Sequence, residues 1–274
     1  MLESPTITLL SWRLALSVWI YCQPTGRHMA LDFNVSERWQ PYISRYERGE
    51  WRATIFRDLI LAELPSMPRP VMLDIGSGGG FDDTPSIQAS LADAAREYVA
   101  VEPDKDMLVG KHVTAVHRCL FEEAPIPRGS VDLAFSVMVL EHLEDPRCFF
   151  EKLREVLRPG GVFWGFTMDA RHWFVAASQL ADRLRLKDWY LGLLHGKRGE
   201  ERYANYKVYY RVNTPQMIDS LTGQFARRDF LNFSSANCLD FYAPARLRWV
   251  LRTFNRANHL LSNPGSVLAV RLQR

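Results

Sequence analysis

The chain has 274 residues, of which 47% are apolar and 24% charged, a size and balance that suit one large α/β domain or a domain with an added cap. Its four cysteines, Cys22, Cys119, Cys148 and Cys238, are far apart, with no C-x-x-C pair and no histidine cluster beside them. A disulfide framework and a zinc site are therefore disfavoured, and a reducing, cytoplasmic setting with no metal is expected.

The net charge of +3 conceals an asymmetry: residues 1–167 carry 17 Lys/Arg and 23 Asp/Glu, and residues 168–274 carry 17 and 8. A basic C-terminal third is either a solvated face or a surface for an acidic substrate, a nucleic acid or a membrane. Residues 1–28 read as an N-terminal extension of doubtful structure. Ile7 to Cys22 is largely apolar but is interrupted by Arg13, too short for a membrane span, and lacks a basic leader. A start codon set too early, a loosely docked helix and a membrane tether remain alternatives. From Met29 the chain reads as one ordinary domain, 29–274.

Trp51 to Leu64 has helical spacing, with Ile55, Leu59 and Ala62 on one face, and is ended by Pro65, Pro68 and Pro70. Val71 to Ile75 is a short buried strand running into glycines. A helix is expected around Ile87 to Ala95, a second strand at Tyr98 to Glu102, and a third at Val113 to Arg118. Val131 to Phe135 makes the fourth strand. Pro146 to Leu157 is a helix stopped by Arg158-Pro159-Gly160-Gly161, and Gly161 to Thr167 is the fifth strand. This alternation predicts a doubly wound, mostly parallel sheet.

Beyond Met168 the pattern becomes irregular and rich in Trp and Tyr, and residues 170–221 are expected to form a helical lid after the fifth strand. Trp173, Phe174, Trp189, Tyr190, Tyr203 and Tyr206 would wall a substrate pocket or form the lid's own core. Pro215 to Leu221 is a short helix, and Phe225 to Phe233 and Val267 to Leu272 are final strands. Between those strands, Ala245 to Leu261 places Leu247, Val250, Leu251, Phe254 and Leu261 on one helical face and Arg248, Arg252 and Arg256 on another. Such a helix either packs on the domain with a solvated arginine stripe or makes weak peripheral contact with a membrane.

The chemistry concentrates at Asp74-Ile75-Gly76-Ser77-Gly78-Gly79-Gly80, between the first strand and its helix. Glycines let the backbone turn sharply and approach a ligand closely. Phe81 occupies the third glycine position of a dinucleotide fingerprint, and Asp74 suits a cationic ligand such as S-adenosylmethionine (SAM) better than a pyrophosphate. Glu102 ends the second strand, where a carboxylate can take both hydroxyls of a ribose. It lies 24 residues beyond Gly78, with the extra length in Phe81 to Ser86.

Four segments in order resemble class I SAM-dependent methyltransferases. Asp74 to Gly78 resembles their first motif, and Val101-Glu102-Pro103-Asp104 their second. Ser130 to Ser136 through Leu140-Glu141-His142-Leu143-Glu144-Asp145-Pro146 resembles the fourth-strand segment of the type 11 small-molecule branch, and Leu153 to Gly161 its lead-in to the fifth strand.

The resemblance covers roughly residues 70–168. It implies a seven-stranded Rossmann-like sheet with a final antiparallel strand and SAM as cofactor. Gly76 and Gly78 would lie against SAM, with Ser77 in the same turn and Asp74 shaping the methionine end. Glu102 would hold the ribose, with Pro103 following it. Residues after the third strand, here Leu120 and Phe121, would cover the adenine through backbone groups, because Leu120 stands where many relatives carry Asp. Residues after the fourth strand, here Ser136 and Val137, would line the methionine portion.

His142 follows that strand and is the candidate general base, with a structural loop role as its alternative; His172, Tyr209, Tyr210 and Arg211 are further lid candidates. The expected activity is O- or N-methylation of a small molecule. The alternatives are a SAM-binding relative without catalysis and a nucleic-acid methyltransferase. The last is disfavoured, because the sequence has no Asn-Pro-Pro-Tyr-like motif and the basic segment no recognisable nucleic-acid fold.

Overall fold

The computed structural model describes residues 37–183, 207–240 and 243–274. The N-terminal extension 1–28, the lid residues 184–206 and the aromatics Trp189, Tyr190, Tyr203 and Tyr206 lie outside the described residues.

Seven strands form one sheet: β1 (Val71–Ile75), β2 (Glu97–Val101), β3 (Ala115–His117), β4 (Val131–Val137), β5 (Leu157–Met168), β6 (Arg227–Phe233) and β7 (Val267–Gln273). Their spatial order is β3-β2-β1-β4-β5-β7-β6. The first five run parallel, and β7 lies antiparallel between β5 and β6. The alternating pattern predicted a doubly wound, mostly parallel sheet, and the seven strands with an antiparallel final one are those that the resemblance implied. Strand order reverses beside β1, whose neighbours β2 and β4 carry chain from different halves of the domain, so a crevice opens at its carboxyl end.

The continuous apolar runs of β1 and β4 are buried because helices cover both faces of a parallel sheet. The helices are α1 (Gln40–Glu47), α2 (Arg52–Leu61), α3 (Pro85–Ala94), α4 (Pro146–Val156), α5 (Trp173–Arg183), α6 (Pro215–Leu221) and α7 (Arg248–Leu260). One face packs α1, α2 and α3 over Phe135, Trp164, Phe166 and Phe233. The other packs α4 and α6 over Leu73, Phe163, Val270 and Leu272. The Asp145 side chain caps α4 by accepting the N–H groups of Arg147 and Cys148, and Pro146 fits the first turn. Phe149, Phe150, Leu153 and Val156 then face the core.

Glu63, just after α2, is buried and accepts two hydrogen bonds from Arg271 on β7, at 2.7 and 3.1 Å. The indole N–H of Trp164 donates to the same carboxylate at 3.3 Å. A buried pair with this many donors fastens the α2 end to the far half of the sheet.

Sequence periodicity did not mark α1. Its apolar residues are few, and its packing rests on Trp39, edge-on to Trp164 at 5.2 Å, and Tyr46, against Phe233 at 5.5 Å. The helix before β7 differs in orientation from a helix that packs through its apolar stripe alone. The Arg stripe and apolar stripe are both present, but α7 packs inward through Asn255, which accepts from the Trp173 indole at 3.2 Å and donates to the Ala236 carbonyl at 3.1 Å. Leu247, Phe254 and Leu261, expected on a core-facing stripe, are exposed. Val250 and Leu251 of that stripe are half-buried and Phe254 touches the Trp173 ring at 5.9 Å, so the amide shares the inward side with part of the stripe.

Candidate functional site

The site assembles at the carboxyl ends of β1, β2, β4 and β5. After Ile75 the chain turns through Gly76 at φ +72° and Gly78 at φ +51°, a backbone region that side chains rarely adopt. A Cβ on Gly76 would lie 2.5 Å from a methyl group of Val139, whereas one on Gly78 meets nothing within 4 Å. Gly76 is thus required by packing against the loop after β4. Gly78 opens onto space that a ligand can use.

Glu102 is buried at the end of β2. Its carboxylate accepts the Gly78 N–H at 2.7 Å and the Asp104 N–H at 3.0 Å. The first and second motifs, 24 residues apart, therefore meet in one hydrogen bond. A carboxylate offers about four acceptor positions, so one oriented by two backbone donors can also receive hydroxyls. The extra length between them forms a tight turn in which Asp82 and Asp83 take positive φ and Phe81 bridges to Thr84. Arg52 clamps it with bonds of 2.6 and 2.7 Å to Asp82.

Asp74 is buried, and its carboxylate accepts the Tyr98 O–H at 2.7 Å and the Gln88 amide N–H at 3.0 Å. Gln88 in turn contacts the His112 ring at 3.1 Å. Burial pushes the Asp74 carboxyl up to about 6, although both hydrogen bonds oppose the rise, and Tyr98 is raised well above the phenolic range by burial and by Asp74. Asp74 thus holds the second strand and α3 against the glycine loop.

The hydroxyls of Ser77 and Ser136 are buried without a hydrogen-bond partner. Buried polar atoms are nearly always satisfied, so two orphans flanking the carboxyl ends of β1 and β4 fit a polar ligand. Val137 is half-buried beside them, and Met138 turns into positive φ while donating its N–H to Phe166 at 2.7 Å. Pro103 is half-buried after Glu102, and Leu120 is exposed at the end of the β3 segment. Phe121 differs from its neighbours: its ring enters the core edge-on to Phe149 at 5.1 Å, so only its backbone can face a ligand.

His142 lies in a short helical turn, Leu140–His142, after β4. Its Nδ1 lies 2.9 Å from the Lys207 carbonyl oxygen. A carbonyl only accepts, so Nδ1 donates, and the neutral ring carries its basic lone pair on Nε2. The adjacent Glu141 points the other way. It is buried, accepts the Thr167 hydroxyl at 2.6 Å, and is raised chiefly by burial. Its carbonyl accepts the N–H groups of Tyr209 and Tyr210, and Arg211 donates to the Glu144 carbonyl. Tyr209 to Arg211 therefore brace the His142 loop. Asn213 donates to Thr167 at 2.6 Å, while its own amide oxygen is buried and unpartnered. His172 is buried, and desolvation lowers it to about 4, which makes it a neutral packing residue.

The Glu141–Thr167–Asn213 cluster was not legible in the sequence. It joins Glu141 in the loop after β4 to Thr167 on β5, and Thr167 to Asn213, 46 positions further on, and only the fold brings these together. Among the described residues no group of three or more His, Cys, Asp or Glu side chains is placed to hold a metal ion, and no helix is long and apolar enough to cross a membrane.

Residues 73–165 match the family model described as a methyltransferase domain. The chain is 32% identical over 149 residues to an uncharacterized methyltransferase of Mycobacterium sp. (strain JLS), covering 49% of this chain and 54% of that one. It is 30% identical over 154 residues to the ubiquinone biosynthesis O-methyltransferase of Paramagnetospirillum magneticum, covering 53% and 59%. The chain thus spans between half and two thirds of the length of these curated relatives. Among solved structures it resembles geranyl diphosphate C-methyltransferase from Streptomyces coelicolor A3(2), with a TM-score of 0.55 and 11% identity over 94% of this chain and 88% of the other. At that identity the likeness speaks for the fold alone.

Proposed function

We propose that this chain, which belongs to the class I SAM-dependent methyltransferases through its domain at residues 73–165, methylates a small-molecule acceptor on oxygen or nitrogen. The observation that carries the reading is the Glu102–Gly78 hydrogen bond, which sets a carboxylate against the open face of the glycine turn. A ribose held by Glu102, a methionine moiety along Gly76 and Gly78, and orphan hydroxyls of Ser77 and Ser136 near its polar groups account for the features of this crevice. Pro103, Leu120 and the backbone of Phe121 would border the base. Asp74 acts at one remove, by fixing Tyr98 and Gln88 behind the turn. The S. coelicolor structure was determined with S-adenosyl-L-homocysteine, which supports a SAM-type ligand for this fold.

SAM supplies an activated methyl group, so the protein's work is positioning and, for an O–H or N–H acceptor, removal of one proton. His142 is suited to that second task. The Lys207 carbonyl holds its Nδ1–H, so Nε2 is the nitrogen that takes a proton. Glu141, protected by burial and by Thr167, orients the loop rather than serving as the base. Small-molecule methylation is favoured over nucleic acid because the relative in P. magneticum is named for O-methylation in ubiquinone biosynthesis. The test is transfer of label from methyl-labelled SAM into a metabolite extract, with calorimetric titration of SAM alongside. Saturable SAM binding with one labelled small product is expected. Binding with no transfer to any fraction would favour a non-catalytic SAM-binding protein.

A further inference from the structure

The connection between β6 and β7 has a surface that methyl transfer does not explain. β6 runs parallel to β5, so its carboxyl end, and the 33-residue excursion from Phe233 to Val267, lies at the end of the sheet that carries the glycine turn. Within that excursion α7 is fastened by Asn255 to Trp173 and Ala236, by Asn258 to Pro264, and by Arg252 to Asp240. At 100° per residue these polar anchors occupy the side turned to the protein.

The remaining circumference holds large apolar groups in water. Trp249 is 66% exposed, Leu260 81% and Leu261 62%, with Leu247 and Phe254 about half exposed. Val250 and Leu251 are half-buried and Phe254 touches the Trp173 ring at 5.9 Å, yet Trp249, Leu260, Leu261 and Leu247 leave more apolar surface in water than packing on the domain requires.

Apart from Asp240, which is paired with Arg252, the charged side chains of this segment have one sign. From Phe241 to the C-terminus the chain contains no Asp or Glu. Arg246 and Arg256 are exposed at the border of the apolar arc and Arg248 is exposed beside the anchored side, where it donates to the Ala243 carbonyl at 3.4 Å; among the described residues none of the three forms an ion pair with a carboxylate. Trp249 lies between the arginines and the apolar arc, as an indole does at a lipid–water boundary. The helix is 13 residues long, enough to lie along a bilayer surface but not to cross it.

We infer that the outward face of α7, with Leu247 and Leu261 at its ends, is a docking surface for an anionic lipid bilayer, which holds the mouth of the crevice against the membrane. The positive ring supplies attraction to anionic headgroups. The exposed apolar arc supplies insertion to the depth of the headgroup boundary.

The test uses the full chain with vesicles of phosphatidylcholine alone and of equal parts phosphatidylcholine and phosphatidylglycerol. Co-sedimentation is expected with the second only, weakening as salt is raised. An Arg246/Arg248/Arg256→Gln variant should lose about fivefold in partitioning per arginine removed, more than fiftyfold in all, with an unchanged melting temperature. A Trp249→Phe variant identifies the indole's contribution to emission, which should shift to the blue only with anionic vesicles. Failure to sediment at low salt overturns the inference. So does sedimentation that the triple variant retains. A dimer in analytical ultracentrifugation that vanishes on Trp249→Ser would assign the face to a second copy and overturn it equally.

Discussion

The Asp74 carboxylate accepts the Tyr98 hydroxyl at 2.7 Å in a buried pocket directly behind the glycine turn. Its acid constant has moved up to about 6 from an ordinary 3.8. Between those pH values the folded chain holds this proton more tightly than the unfolded chain. Stability therefore falls as pH rises through the window, by up to about 3 kcal/mol, and the cost is fully present above pH 6. Glu141, also raised, adds a contribution of the same sign. His172, lowered from 6.5 to about 4, acts oppositely and removes stability as pH falls through that range. Asp74→Asn should therefore be more stable relative to wild type at pH 7 than at pH 4. Urea denaturation at both pH values measures this, and a difference that does not change with pH would show that Asp74 titrates normally.

The glycine turn separates a packing role from a binding role. Gly76→Ala drives a Cβ to 2.5 Å from Val139 at positive φ and should destabilise the fold by about 1–3 kcal/mol. Gly78→Val adds its side chain to open space, so its cost to the fold is backbone strain of about 1–2 kcal/mol. A folded Gly78→Val protein with SAM binding abolished is the expected result. Calorimetry that finds wild-type affinity in that variant would remove the turn from the cofactor site.

Glu102→Ala deletes the acceptor shared by Gly78 and Asp104. Loss of hydrogen bonds to a charged group should weaken SAM binding by about 1.5–3 kcal/mol, roughly 10- to 150-fold in Kd. Glu102→Gln should recover part of it, because the amide oxygen still accepts. An unchanged Kd in the alanine variant would mean that another residue takes the ribose.

The comparison of residues with structure divides along distance in sequence. The strands, α4 and the pairing of glycine turn with Glu102 were legible, because each is written in local periodicity, in Pro and Gly punctuation, or in two motifs at a known separation. β1 and α6 match their expected bounds, and the remaining strands shift by a few residues at their ends or gain a lead-in, as at Leu157 of β5. What escaped depends on partners far away. α1 is held by Trp39 meeting Trp164, the Asp74 carboxylate is engaged by Tyr98 and Gln88, and Phe121 joins the core against Phe149. The orientation of α7 escaped for the same reason. Periodicity located its apolar stripe but not the Asn255 contacts, nor the exposure of Leu247, Phe254 and Leu261 while Val250 and Leu251 are half-buried.

His142 is held at two points. Its Nδ1 donates to the Lys207 carbonyl, and its loop is braced by the N–H groups of Tyr209 and Tyr210 on the Glu141 carbonyl. If Nε2 removes the acceptor's proton, His142→Ala should lower kcat by about 10²–10⁴-fold. The Kd for SAM should stay within about twofold, since Glu102 and the glycine turn lie on other strands. A structural role alone would instead raise Kd and lower the melting temperature together. The pH profile separates the two further. A rising limb of kcat against pH that disappears in His142→Ala while binding stays flat is the expected signature of a base. Wild-type turnover in His142→Ala would show that positioning alone carries the transfer.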